Sequence, residues 1–142
     1  MDKVCEEYRK ACGEIKLDGP TTMAPLIHEA ITMCKSTKEF HILIVITDGG
    51  ISNPKLDGEA IVEASNYPMS IITVGLGDGP FDTMEKFDSK LRGRKFDNFN
   101  FFNFTEMEKK LGKIENVDET IAVEMCQELP QQFKAIKKLG LL

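Results

Sequence analysis

Two short stretches hold residue types that could carry chemistry. The first is Asp48-Gly49-Gly50, which ends the apolar run Phe40-His41-Ile42-Leu43-Ile44-Val45-Ile46-Thr47. A carboxylate beside a turn, at the carboxyl end of a buried strand, stands where open α/β sheets bind their ligands. Asp48 could be an oxygen ligand to a hard cation such as Mg²⁺. It could equally cap its own loop by bonding local backbone amides. Residue type and spacing leave both readings open. The second stretch is Gly75-x-Gly77-x-Gly79, after another apolar run. The dinucleotide fingerprint is G-x-G-x-x-G, and here the third glycine comes one position early and is followed by Pro80. The acid expected roughly twenty residues on is at best Asp97, which precedes its strand. A turn that needs glycine is the favoured reading.

Other reactive residue types lack partners. His28 and His41 have no ligand-spaced neighbours, which argues against a histidine zinc site. There is no Gly-x-Ser-x-Gly elbow and no Cys/His pairing. The four cysteines, Cys5, Cys12, Cys34 and Cys126, form no C-x-x-C pair. Three of them fall at apolar positions of helical patterns, as free buried thiols do, and Cys5 and Cys12 are expected on one buried face. Reduced thiols and the absence of a leader-like apolar run after Met1 imply an intracellular, cytoplasmic protein. With 142 residues, 42% of them hydrophobic, the chain is expected to be one domain with a sizeable core. With a net charge of -5, the chain does not resemble a nucleic-acid binder, which needs a basic face. No stretch approaches the ~20 apolar residues of a membrane span, so no nucleic acid and no direct membrane insertion are expected.

The elements that must position Asp48 follow from periodicity. Val4, Cys5, Tyr8, Ala11, Cys12 and Ile15 make the stripe of an amphipathic helix. Gly19-Pro20 predicts a turn, with a threonine hydroxyl capping the next helix, which carries Ile27, Ala30, Ile31 and Cys34. His28 lies at the margin of that stripe. Residues 40–47 read as a central strand buried on both faces, as in a parallel sheet. A helix through Ala60, Ile61 and Ala64 follows, then a second strand at 69–75 and a short helix with Met84 and Phe87. Residues 98–104 predict a Phe/Asn-rich edge strand. Thr105-Glu106-Met107-Glu108 has the form of a capping box. Pro130 should kink or divide the last helical stretch. Strands alternating with helices predict an α/β fold with about three parallel strands (40–47, 69–75 and 98–104).

Several of these motifs together resemble a known family. Gly19-Pro20-Thr21 with Ala24-Pro25, Ile46-Thr47-Asp48-Gly49, Ala60-Ile61-Val62-Glu63-Ala64-Ser65 and Pro68-Met69-Ser70-Ile71-Ile72-Thr73-Val74-Gly75 are similar to the copine-type von Willebrand factor A domain. Arg94-Lys95-Phe96-Asp97-Asn98-Phe99, Asn103-Phe104-Thr105-Glu106 and Glu128-Leu129-Pro130-Gln131-Gln132-Phe133 resemble one branch of it, the plant copine-domain RING ubiquitin ligases.

The resemblance implies a doubly wound, Rossmann-like sheet with a metal-ion-dependent adhesion site at the carboxyl ends of its strands. By motif, Thr21 matches the family threonine and Asp48 the family aspartate, with Thr22 as the alternative to Thr21. The family's Asp-x-Ser-x-Ser is missing here. The chain is therefore expected to be the C-terminal portion of the domain, residues 1–142, holding the last three strands. The implied cofactor is Mg²⁺ or Mn²⁺ in the full domain, weak or absent in this chain. The implied partner is a protein whose acidic side chain completes the coordination. Strand 40–47, lacking its neighbour, is expected to expose an edge and to promote homo-oligomers.

The resemblance implies a non-catalytic protein-interaction module. Two alternatives accompany it: the substrate-recruiting part of an E3 ubiquitin ligase whose RING lies outside this chain, and a fragment of a calcium-dependent, phospholipid-binding copine. For the full-length parent, nuclear or peripheral membrane association stays open.

Overall fold

The computed structural model describes residues 2–16, 21–112 and 116–142; the Gly19-Pro20 turn lies outside them. The elements run α1 (Asp2–Glu14), α2 (Ala24–Thr37), β1 (His41–Thr47), α3 (Pro54–Ala64), β2 (Met69–Gly75), α4 (Asp82–Lys90), β3 (Phe99–Asn103), α5 (Phe104–Leu111), α6 (Val117–Cys126) and α7 (Leu129–Lys138). The strands form one open parallel sheet in the order β1-β2-β3. His41 lies opposite Met69 and Thr47 opposite Gly75. Ile71 lies opposite Phe99 and Gly75 opposite Asn103. This is the expected mixed α/β architecture, and its strands fall within a residue of the ranges read from the sequence.

Strand alternation sorts the core onto two faces. Leu43, Val45, Met69, Ile71 and Phe99 point to the face covered by α2 and α3, where Ile27, Ile31, Cys34 and Ile61 pack. Phe87 of α4 meets Phe99 edge-on, with ring centroids 5.9 Å apart. On the other face, Ile72, Val74 and Phe102 pack under Met107 of α5, Ile121 and Met125 of α6, and Leu129. Among the described residues, that second cover reaches β2 and β3. Ile42, Ile44 and Ile46 of β1 share its side of the sheet and are 45%, 52% and 68% exposed. The expectation that β1 is buried on both faces is therefore corrected: one face is packed, and the other face and the outer edge are open.

Local signals account for most helix boundaries. Asn53 caps α3, its Oδ1 accepting from Leu56 N at 3.1 Å, and Pro54 opens the first turn. The α6–α7 break falls at Gln127-Glu128, with Pro130 in the first turn of α7 as the sequence suggested. Three expectations fail. No threonine occupies the N-cap of α2, which is Met23 without a side-chain cap bond. Thr105 does not cap α5; Asn103 does, accepting from Glu106 N at 3.0 Å, while the Thr105 hydroxyl accepts from Gly77 N at 2.7 Å. The stripe of α1 is not buried: the helix contributes no buried residue, and Cys5 and Cys12 are both exposed. Cys34 is buried and Cys126 half-buried, and all four thiols are free. Among the described residues, no helix is long and apolar enough to cross a membrane.

Candidate functional site

The carboxyl ends of β1 and β2 meet the amino end of α2, and the loops there are tied to one another. After Thr47 the chain turns through Asp48-Gly49-Gly50. Gly49 has φ +122°, and a Cβ on it would stand 2.7 Å from the Gly79 carbonyl carbon, so only glycine fits between the two loops. The Thr47 hydroxyl accepts from Gly49 N at 3.3 Å and donates to Gly49 O at 3.2 Å. Thr21 pairs with this loop as a single parallel bridge to Ile51. Its N–H donates to Gly50 O at 3.1 Å, and its carbonyl accepts from Ser52 N at 2.9 Å.

The two residues singled out for a metal site, Thr21 and Asp48, thus sit on adjoining loops at one end of the sheet. Both are exposed. The loop's side-chain hydrogen bonding is supplied by Thr47, and the Asp48 carboxylate takes no hydrogen bond from the described residues. That weighs against the reading of Asp48 as a loop cap. A hydroxyl and a carboxylate are the oxygen donors a hard cation prefers, so the donor chemistry fits Mg²⁺ or Mn²⁺ in kind. It falls short in number: among the described residues no group of three or more His, Cys, Asp or Glu side chains is arranged to hold a metal. His28 is instead paired with Glu63 at 3.5 Å, both half-exposed.

Thr22, the alternative to Thr21, is engaged elsewhere. Its hydroxyl donates to Asp57 Oδ1. The same oxygen accepts from Met23 N and Ala24 N, each at 2.9 Å. A carboxylate at a helix amino terminus is favoured by the helix dipole and by charge-assisted N–H bonds. Asp57 therefore fixes the start of α2, and so the position of Thr21, from the first turn of α3. It is fully buried, and among the described residues its Oδ2 has no partner. Sequence reasoning assigned Asp57 no role. Its acceptor contacts lie 33 to 35 residues away, and no local pattern marks them.

The fold and this end of it define a class: an open parallel α/β sheet whose strand ends carry exposed oxygen donors. The copine family profile spans residues 1–142, and the chain belongs to the copine family. It is 42% identical over 142 residues to Copine family protein 1 of Caenorhabditis elegans, covering 100% of this chain and 13% of that protein. It is 39% identical over 155 residues to the E3 ubiquitin-protein ligase RGLG5 of Arabidopsis thaliana, covering 36% of it. RGLG2 of the same plant is 40% identical over 156 residues, with 33% of its length covered. The chain thus corresponds to a minor part of each of these relatives.

Proposed function

We propose that this chain is a non-catalytic protein-interaction module whose docking end is the carboxyl end of its sheet. Thr21 and Asp48 contribute oxygen ligands, direct or through water, to a Mg²⁺ or Mn²⁺ site. An acidic side chain of the partner protein fills an open position on the cation, because a hard cation favours carboxylate. The observation that carries the reading is the stitching of Thr21 to the Asp48 loop by two backbone hydrogen bonds, with Asp48 exposed and no described donor on its carboxylate. Two protein ligands make a weak site, so Mg²⁺ binding to this chain alone should lie in the millimolar range and vanish in Asp48→Ala. Calorimetry showing tight Mg²⁺ binding that Asp48→Ala leaves untouched would overturn it.

A second reading is favoured by the plant relatives, which are named E3 ubiquitin-protein ligases. In it, the chain selects the substrate and the RING that recruits the ubiquitin-charged enzyme lies elsewhere in the full protein. No C-x-x-C spacing occurs in these 142 residues, so the chain alone should transfer no ubiquitin. The full-length protein should transfer it to a substrate that this chain captures, and Asp48→Ala in the full-length protein should reduce that capture.

The open edge of β1 supports a further element of the reading, association between copies. His41–Thr47 carries no Asp, Glu, Lys or Arg, so nothing on the strand itself opposes edge pairing. An antiparallel pair of β1 strands centred on Ile44 sets Ile44 against its own copy and Ile42 against Ile46, extending the apolar row across the junction.

A further inference from the structure

At the opposite end of the sheet, ahead of β3, lies a cleft of about 510 Å³ lined by Asp97, Gln127, Glu128, Gln131, Gln132 and Ala135. It lies between the turn that leads into β3 and the first turns of α7. Its lining is rich in acceptors: two carboxylates and three amides, against a single methyl group. The nearby cation is Arg94, ion-paired to Asp97 and bonded to its own neighbours, with no hydrogen bond on Nη1 among the described residues. Nη1 is 2.6 Å from Asp97 Oδ1, Nη2 donates to Asp88 O at 3.0 Å, and Nε donates to Leu91 O at 3.2 Å.

The carboxylates are crowded. Glu128 is pushed above the ordinary range of its kind, first by burial and then by the charges of Asp88 and Asp97. Asp88 is raised as well, again chiefly by burial, although its Oδ2 accepts from Phe101 N at 3.1 Å. Asp88 and Asp97 thus add negative charge beside Glu128, and Arg94 is the cation that offsets it.

An independent sign comes from Gln132. It is only 4% exposed and lines the cleft, its Nε2 donates to Glu128 Oε2 at 3.3 Å, and its Oε1 has no partner among the described residues. A buried amide oxygen without a donor costs roughly 1–3 kcal/mol. The cleft thus holds net negative charge, and a buried amide oxygen in its lining has no donor among the described residues.

We propose that this cleft receives a basic side chain, arginine in preference to lysine, from a partner protein. The guanidinium presents five N–H donors in a planar fork and keeps its charge at any working pH, which suits a pocket whose acceptors are a carboxylate and side-chain amides. A bare divalent cation is a poorer occupant, since among the described residues no three acidic, His or Cys side chains converge. The site is separate from the carboxyl-end loops and requires no metal.

The test is a titration of the isotopically labelled chain with the peptide acetyl-Gly-Arg-Gly-amide, followed by amide chemical shifts, with acetyl-Gly-Gln-Gly-amide as the neutral control. The arginine peptide should produce saturable shifts at Asp97 and at Gln127 through Gln132, weakening as salt is added. Glu128→Gln and Asp97→Asn should each weaken binding at least fivefold. The Asp97 side chain is 60% exposed, so its variant should keep the fold. Lys in place of Arg in the peptide should bind more weakly. Shifts that are absent from these residues, that are equal for the glutamine control, or that survive Asp97→Asn unchanged overturn the proposal.

Discussion

β1 and β2 are strands of equal length, hydrogen-bonded in parallel along all seven residues, and both rich in isoleucine and valine. Yet every residue of β2 is buried, while Ile42, Ile44 and Ile46 of β1, which share one face, stay at the surface, and Val45 on the opposite face is buried. The difference lies in their neighbours. β2 has a strand on each side and helices on both faces. β1 has α2 and α3 on one face, and the cover formed by α5 and α6 on the other face stops over β2 and β3. Apolar runs of the same kind thus have different roles: β2 holds the fold, and β1 is the strand whose carboxyl end and open side are proposed to meet partners.

The largest effect that sharpens this contrast is on stability. Ile71 is fully buried in β2 and lies opposite Leu43, and Ile71→Ala should cost ~2–5 kcal/mol in urea unfolding. Ile44→Ala in β1, half-exposed, should cost less than about 1.5 kcal/mol in the dilute chain, because less apolar area leaves contact. Equal costs would mean that the open face of β1 is covered in solution.

Asp57→Ala comes next. It removes the acceptor shared by the Met23 and Ala24 amides and the Thr22 hydroxyl, and should cost ~1–3 kcal/mol. It should also disturb the amide signals of Thr21 and of the Asp48 loop. Unchanged signals there would show that Asp57 does not position the docking end.

Association through β1 should be visible by sedimentation at high protein concentration. The wild-type chain should form dimers or larger species. Ile44→Lys should weaken this at least tenfold, about 1.4 kcal/mol, with little change in the circular dichroism of the dilute protein. A clean monomer of the wild type at high concentration contradicts the edge-pairing account.

The smallest effect is one of pH at the far end of the sheet. The folded-state pKa of Glu128 is raised, mainly by burial, so its ionised form is disfavoured in the folded chain. Stability is therefore lost as pH rises from the ordinary glutamate value of 4.5 through the raised one. Glu128→Gln should be slightly more stable than wild type at neutral pH, with the advantage closing as the medium is acidified below that range. An advantage independent of pH would assign the effect to packing.

Much of this arrangement could be read from residue order. Pro130 divides the last helical stretch, and the second strand was predicted at 69–75 as it stands. What periodicity cannot supply is the partner of an apolar face. Val4, Cys5, Tyr8 and Cys12 form a stripe on α1 as regular as that of α2, yet they are exposed, since the stripe reports amphipathicity and not what covers it. The same holds for β1, whose sequence reads as doubly buried. At Thr105 two local signals compete, and Asn103, two residues earlier and a slightly better N-cap, starts α5 while Thr105 bonds the glycine turn. At the candidate site, Asp48 and Thr21 were accessible through the family's motifs. Asp57 was not, because the backbone groups it binds belong to a different helix.

The central claim, that the carboxyl end of β1 is a cation-dependent docking end, is tested most directly by adding Mn²⁺ to the labelled chain and mapping paramagnetic broadening. Broadening should centre on Thr21 and on Asp48 through Ser52, and should disappear in Asp48→Ala while the rest of the spectrum is retained. Broadening that survives Asp48→Ala, or that centres on Asp97 and Glu128 at the other end of the sheet, would contradict the account.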